Sequence, residues 1–253
     1  MKTPALIASI LFLPLSFGFG ADKENVIVDT NFSQWDAEGA PDLSPEPCDP
    51  AELPLKNPTF LKAQPPTSLT LGTETMGTMQ TPYLLVKFAK EAEGEGIAGW
   101  NGGWKVEELH LSEGKFEVSF QVTPMDEEFF GPIVIVQLTG KGGTPQGSMH
   151  PTQVPLQIAF SEGKIAFGSA GSAPYSQGAT YAIKMTFDLQ EKTWGASVDG
   201  ADIFQDERFP DAMIDSGQSF EIHQLAMNVG GRPDASVGIA NMKLAQILPA
   251  KAP

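Results

Sequence analysis

The chain is predicted to be all-β, an antiparallel β-sandwich or barrel of about a dozen strands. Three observations predict it. Apolar residues recur with period two, turn residues separate the apolar runs, and no long segment shows helical periodicity. The clearest strand is 115–123. Phe116, Val118, Phe120 and Val122 share one face, and Lys115, Glu117, Ser119, Gln121 and Thr123 share the other. In 180–188, Tyr181, Ile183, Met185 and Phe187 oppose Lys184, Thr186 and Asp188. Residues 133–138 are nearly all apolar and β-branched, as in a central strand covered on both faces. Further strands are expected at 25–29, 68–73, 82–88, 105–111, 155–160, 164–168, 193–198, 219–229 and 236–246.

The connections carry turn chemistry. Ser112-Glu113-Gly114, Ser161-Glu162-Gly163 and Asp199-Gly200 all lie between apolar runs. Two strands change phase midway. Phe220 and Ile222 give way to Leu225, Met227 and Val229, and Val237 and Ile239 give way to Met242 and Leu244. One extra residue in each strand explains the shift, so β-bulges are expected near His223-Gln224 and near Ala240-Asn241. Residues 37–66 hold eight prolines and cannot supply a central strand. They are read as an irregular loop over the domain. The Gly-rich segment 91–104, which ends Gly99-Trp100-Asn101-Gly102-Gly103-Trp104, is also read as a loop. So are 141–153, 169–179 and the acidic stretch 199–215.

The N-terminus has the layout of an export signal. Lys2 precedes an apolar run from Ala5 to Phe17, and Gly18 and Gly20 follow at signal-peptidase spacing. The expected organisation is a signal peptide over 1–20, one sandwich domain over 21–248 and a tail over 249–253, in a secreted or periplasmic protein. No later stretch is apolar enough for membrane insertion. The single cysteine, Cys48, cannot form an internal disulfide. The net charge is −15, with only Arg208 and Arg232 as arginines. That balance opposes nucleic acid, anionic membranes and acidic polysaccharides, and it favours a neutral carbohydrate or a protein ligand.

Several segments carry a family resemblance: 114–124 (GKFEVSFQVTP), 181–189 (YAIKMTFDL), 192–200 (KTWGASVDG) and 237–244 (VGIANMKL), with 26–35 (VIVDTNFSQW) as an opening strand. They resemble the concanavalin A-like lectin/glucanase superfamily, in particular its bacterial exported laminin-G-like jelly rolls. The resemblance implies a fold, the antiparallel β-sandwich (jelly roll), and not one activity, since that superfamily holds lectins, glycosidases, lyases and adhesion modules. It also implies that calcium can be bound structurally, with Asp29 on the opening strand and Asn241 on the closing strand as candidate ligands. Ala240 stands where the family's closing strand often carries Asp.

Motifs for catalysis are sparse. A retaining glucanase of this fold uses a Glu-x-Asp-x-x-Glu strand that aims two carboxylates into one groove, and none occurs here. Two isolated arginines do not make an alginate-lyase-type site. No Gly-x-Ser-x-Gly elbow is present, and His110, His150 and His223 lack zinc spacing. Recognition is better represented. Trp100 and Trp104 flank Asn101 in the predicted loop, where indole faces can stack on sugar rings and the amide can bond hydroxyls. Tyr175 is a further ligand-binding candidate. The expectation is an exported non-catalytic recognition module for carbohydrate. The alternatives are a structural or adhesion module that binds protein, and a glycan-active hydrolase with an atypical carboxylate site.

Overall fold

The computed structural model of the chain describes residues 23–33, 48–63, 67–71, 75–80, 82–88, 98–125, 129–130, 132–140, 156–161, 163–209, 220–231 and 235–248. The expected signal peptide, the C-terminal tail and the segments 37–47 and 141–153 lie outside them. In chain order the strands are β1 (Lys23–Thr30), β2 (Phe60–Ala63), β3 (Thr67–Leu71), β4 (Leu84–Phe88), β5 (Ala98–Lys105), β6 (Lys115–Pro124), β7 (Phe129–Phe130) and β8 (Pro132–Gly140). They continue with β9 (Leu156–Ser161), β10 (Lys164–Phe167), β11 (Gly171–Pro174), β12 (Tyr181–Asp188), β13 (Thr193–Val198), β14 (Ala201–Arg208), β15 (Phe220–Gly231) and β16 (Ser236–Leu248).

Two antiparallel sheets result, as a sandwich requires. The first runs β14-β13-β12-β6-β16-β4-β3, and β1 pairs with the second half of β16. The second runs β11-β10-β9-β8-β15-β5-β2, with β7 on β15. The edges approach one another, β11 against β14 and β2 against β3. The inward residues of both sheets meet in one apolar core. Phe116, Val118, Phe120 and Val122 of β6 and Ile183, Met185 and Phe187 of β12 face Val134, Val136 and Leu138 of β8 and Ile158 and Phe160 of β9. Phe116 and Phe187 sit directly opposite in the ladder and stack at 5.7 Å. Phase, not length, decides which residues go inside: the alternating burial along β6 and β12 follows the alternation in the sequence.

Both expected bulges are present. The β15–β8 register shifts between Ile222 and Gln224, and the β16–β6 register shifts between Ala240 and Lys243. The expected central strand 133–138 lies in β8, between β9 and β15. Asp199-Gly200 closes the β13–β14 hairpin with Val198 opposite Ala201.

Five readings of the sequence are corrected. The Gly-Trp segment is not a loop but strand β5, paired to β15 on one side and β2 on the other. Its glycines serve close approach: a Cβ on Gly103 would lie 2.1 Å from the carbonyl oxygen of Leu225. The strand expected at 105–111 ends at Lys105, and a 3-10 turn at Glu107–Leu109 follows, closed by His110 at φ 50. The Pro-rich stretch contributes β2, an edge strand, which is where proline-flanked sequence is tolerated. The acidic stretch after Gly200 contributes β14. Phe204 anchors it by packing edge-on against Trp194 at 4.7 Å and Phe167 at 6.0 Å. Similarly, β11 forms inside the segment read as a loop at 169–179.

Candidate functional site

From β1 across to β14 the outward face of the first sheet carries polar residues that line up across strands, while a cluster of Met76, Met79, Tyr83, Leu85 and Ala240 covers its β4 end. The pairings Asp29↔Lys243, Lys243↔Ser119, Ser119↔Lys184, Lys184↔Ser197 and Ser197↔Asp202 join six strands, β1-β16-β6-β12-β13-β14, in one continuous row. The sequence neighbours of these residues, among them Val28, Leu244, Val118, Ile183 and Val198, are core, so the row stands on the opposite face.

Three clefts run along this face and share walls. The first, of about 350 Å³, is lined by Asp29, Thr30, Asn31, Ser33, Lys56 and Asn241. The second, of about 260 Å³, takes Asn241 as well, together with Ser119, Gln121, Lys184 and Ser197, over a floor that includes Phe120, Ala182, Ile183 and Gly200. The third, also about 260 Å³, shares Lys184 and Ser197 and adds Thr186, Asp202, Gln205 and Asp206. Asn241 therefore joins the first cleft to the second, and Lys184 and Ser197 join the second to the third. Ser197 lines two clefts although it is only 6% exposed.

The bulge in β16 explains the position of Asn241. Ala240 pairs with Gln121 and Lys243 with Ser119, so Asn241 and Met242 share the interval opposite a single residue of β6. Asn241 takes φ 52, a left-handed conformation that Asn tolerates better than most residues. Its amide nitrogen donates to Oε1 of Gln121 at 3.1 Å. The bulge thus turns a strand residue into a side chain shared by two clefts.

Three lysines of this face have carboxylate partners. Lys243 pairs with Glu24, Lys184 with Glu117 at 3.3 Å, and Lys115 with Asp188 at 3.8 Å. One end of the face is walled by the turn that carries Met76 and Met79. Both sulfurs sit over Gly238, where a Cβ would meet them at 2.8 and 3.3 Å. Thr180 holds that turn: its hydroxyl accepts from the backbone N–H of Thr78 at 2.9 Å and bonds the Thr123 hydroxyl at 2.8 Å.

The residues singled out from the sequence divide. Trp104 is 0% exposed and belongs to the core between the two sheets. A ring without an exposed face offers no sugar platform, so Trp104 is corrected from ligand to core residue. Tyr175 is 8% exposed and packs edge-on against Phe160 at 5.3 Å, and it is corrected likewise. Trp100 and Asn101 stand in β5 opposite Val229 and Asn228. Their side chains lie outside the described set. Asp29 and Asn241 do come together, in the first cleft.

That cleft does not fit a calcium ion. Among the described residues it offers one carboxylate, and Lys56 brings an ammonium. Thr30 Oγ1 accepts from the backbone N–H of Phe32, and Asn31 Oδ1 accepts from that of Ser33. Calcium takes six to eight oxygens, several of them charged. No group of three or more His, Cys, Asp or Glu that could hold a metal occurs among the described residues.

A second polar cluster lies at the bulge of β15. His223, 5% exposed, places Nδ1 2.8 Å from a Glu107 carboxylate oxygen, and Lys105 pairs with the same carboxylate. The His223 carbonyl accepts from the backbone N–H of Val106. Burial pushes the imidazole below its ordinary pKa, the Glu107 carboxylate partly restores it, and Lys105 lowers it further. Nearby, His110 faces Glu221 at 3.2 Å. Cys48 is buried, and burial, helped by Glu108, Asp49 and Glu107, pushes its thiol up, away from the reactive thiolate.

No family model matches the chain, and no curated protein does. Several solved structures show a distant likeness to the chain. Domain 4 of an extracellular arabinanase from Geobacillus stearothermophilus, in complex with arabinotriose, is 11% identical with TM-score 0.47, over 89% of this chain and 94% of that one. An endo-beta-1,4-glucuronan lyase from the fungus Trichoderma reesei is 10% identical with TM-score 0.47, over 74% of this chain and 90% of the other. A sialidase is 12% identical with TM-score 0.46 over 74% of this chain, which spans 16% of the sialidase's length. The class these observations define is an antiparallel β-sandwich of two sheets.

Proposed function

We propose that this chain is a non-catalytic recognition module that binds carbohydrate on the outward face of the first sheet. The observation that carries the reading is the run of three clefts joined through Asn241, Lys184 and Ser197. Their lining supplies hydroxyls, side-chain amides and compensated ion pairs, which are the donors and acceptors that sugar hydroxyls need. The proposed site is therefore built on strands, whose rigidity fixes the spacing of these groups. The binding is assigned to no metal.

Native affinity electrophoresis through gels containing neutral polysaccharides tests this. Retardation that is lost in Lys184→Ala and in Gln121→Ala but kept in Trp100→Ala supports the groove. Retardation lost only in Trp100→Ala moves the site to β5. No retardation on any polysaccharide overturns carbohydrate binding and leaves a protein ligand as the working reading.

A further inference from the structure

We infer that the groove is built for an extended, uncharged glycan chain of about five units lying across the strands, not for a single sugar or an acidic one. This rests on the carbohydrate reading and deepens it.

Length comes from register. The row Asp29, Lys243, Ser119, Lys184, Ser197, Asp202 crosses six neighbouring strands. Five spacings of about 4.8 Å give roughly 24 Å. A pyranose unit in an extended chain advances by about one such spacing, so a chain lying along the row meets a new strand with each unit. The three clefts follow the same line, and each shares lining residues with the next.

Charge comes from the pattern along the row. Its two carboxylates stand at the ends and its two ammoniums inside, and with the counter-ions Glu24 and Glu117 the six groups sum to −2. Each inner ammonium already has its own counter-ion, Glu24 for Lys243 and Glu117 for Lys184. An acidic sugar would find those ammoniums neutralised, on a protein with net charge −15. Vicinal hydroxyls, by contrast, can donate to a carboxylate and accept from an ammonium of the same pair without disturbing the balance.

Calorimetric titration with gluco-, xylo-, manno- and arabino-oligosaccharides of increasing length tests both parts, with uronate oligomers alongside. In the series that binds, affinity rises roughly threefold or more per added unit and levels off near about five units. Added salt changes it little. Asp29→Ala and Asp202→Ala, at the ends of the row, weaken the longest ligands and leave trimers unchanged, while Ser119→Ala weakens both. Thermal unfolding of each variant confirms that the fold is intact. A plateau at one or two units, or uronate oligomers binding as tightly as neutral ones, overturns this inference and leaves carbohydrate recognition standing. Absence of binding across all series overturns both.

Discussion

Strand β5 and the outward face of the first sheet look opposite in sequence and in structure. β5 carries the most conspicuous motif of the chain, two tryptophans around Asn-Gly-Gly, and its Trp104 ends in the core. The polar face carries Ser119, Gln121, Lys184, Ser197 and Asn241, each unremarkable alone, and they converge from β6, β12, β13 and β16 on connected clefts. Aromatic side chains are large apolar surfaces before they are ligand platforms, and a sandwich buries them first. A recognition surface on a sheet needs only the residues that alternation leaves outside, brought into register.

This contrast can be broken or sharpened experimentally. The largest effect is expected at β5. Trp104→Ala empties a fully buried site and should cost about 3–5 kcal/mol in chemical denaturation. Gly103→Ala should also destabilise, by about 1–3 kcal/mol, since its Cβ would press on the Leu225 carbonyl. Neither loss should depend on ligand. On the polar face the order reverses. Lys184→Gln removes a half-exposed ion pair worth about 0–1 kcal/mol, so the melting midpoint should barely move while glycan affinity falls about tenfold.

Asn241→Gly sharpens the comparison further. Glycine takes the left-handed conformation without strain, so stability should hold within about 1 kcal/mol. The amide that joins two clefts is lost, and affinity should fall several-fold. Unchanged affinity in this variant would mean that the bulge serves only to curve the sheet.

Much of the fold was legible because period-two alternation is a local signal. β6, β12 and β16 could be read from the spacing of Phe116 to Val122, Tyr181 to Phe187, and Val237 to Leu244, and both bulges from a change of parity. The strands that were missed have other determinants. β5 owes its extended form to pairing with β15 and β2, a close approach that Gly103 permits, and β14 is anchored by Phe204 on Trp194. Neither contact has a local signature. The polar residues of β6 and β12 were visible as outward faces. Their assembly into a row was not, because it depends on which strand pairs with which and in what register. Asp29 and Asn241 share a cleft because the first and last strands pair, as the sequence led one to expect.

The buried His223–Glu107 pair gives a smaller effect, in pH. With the folded imidazole held below its ordinary value of about 6.5, the unfolded chain binds the proton first as pH falls. Its contribution to stability is complete above that pH and is lost as pH drops from there toward the folded value. The melting midpoint should therefore fall between neutral and mildly acid pH, and His223→Gln should flatten that decline. Chelation should have the smallest effect of all: treatment with EDTA should leave both melting and glycan retardation unchanged.

The most direct test of the central claim is a map of backbone amide chemical shifts during titration with the neutral oligosaccharide that binds best. Shifts concentrated at Ser119, Gln121, Lys184, Ser197 and Asn241, with Trp100 to Trp104 unmoved, are the predicted result. Shifts concentrated in β5, with the polar face of the first sheet silent, would contradict it.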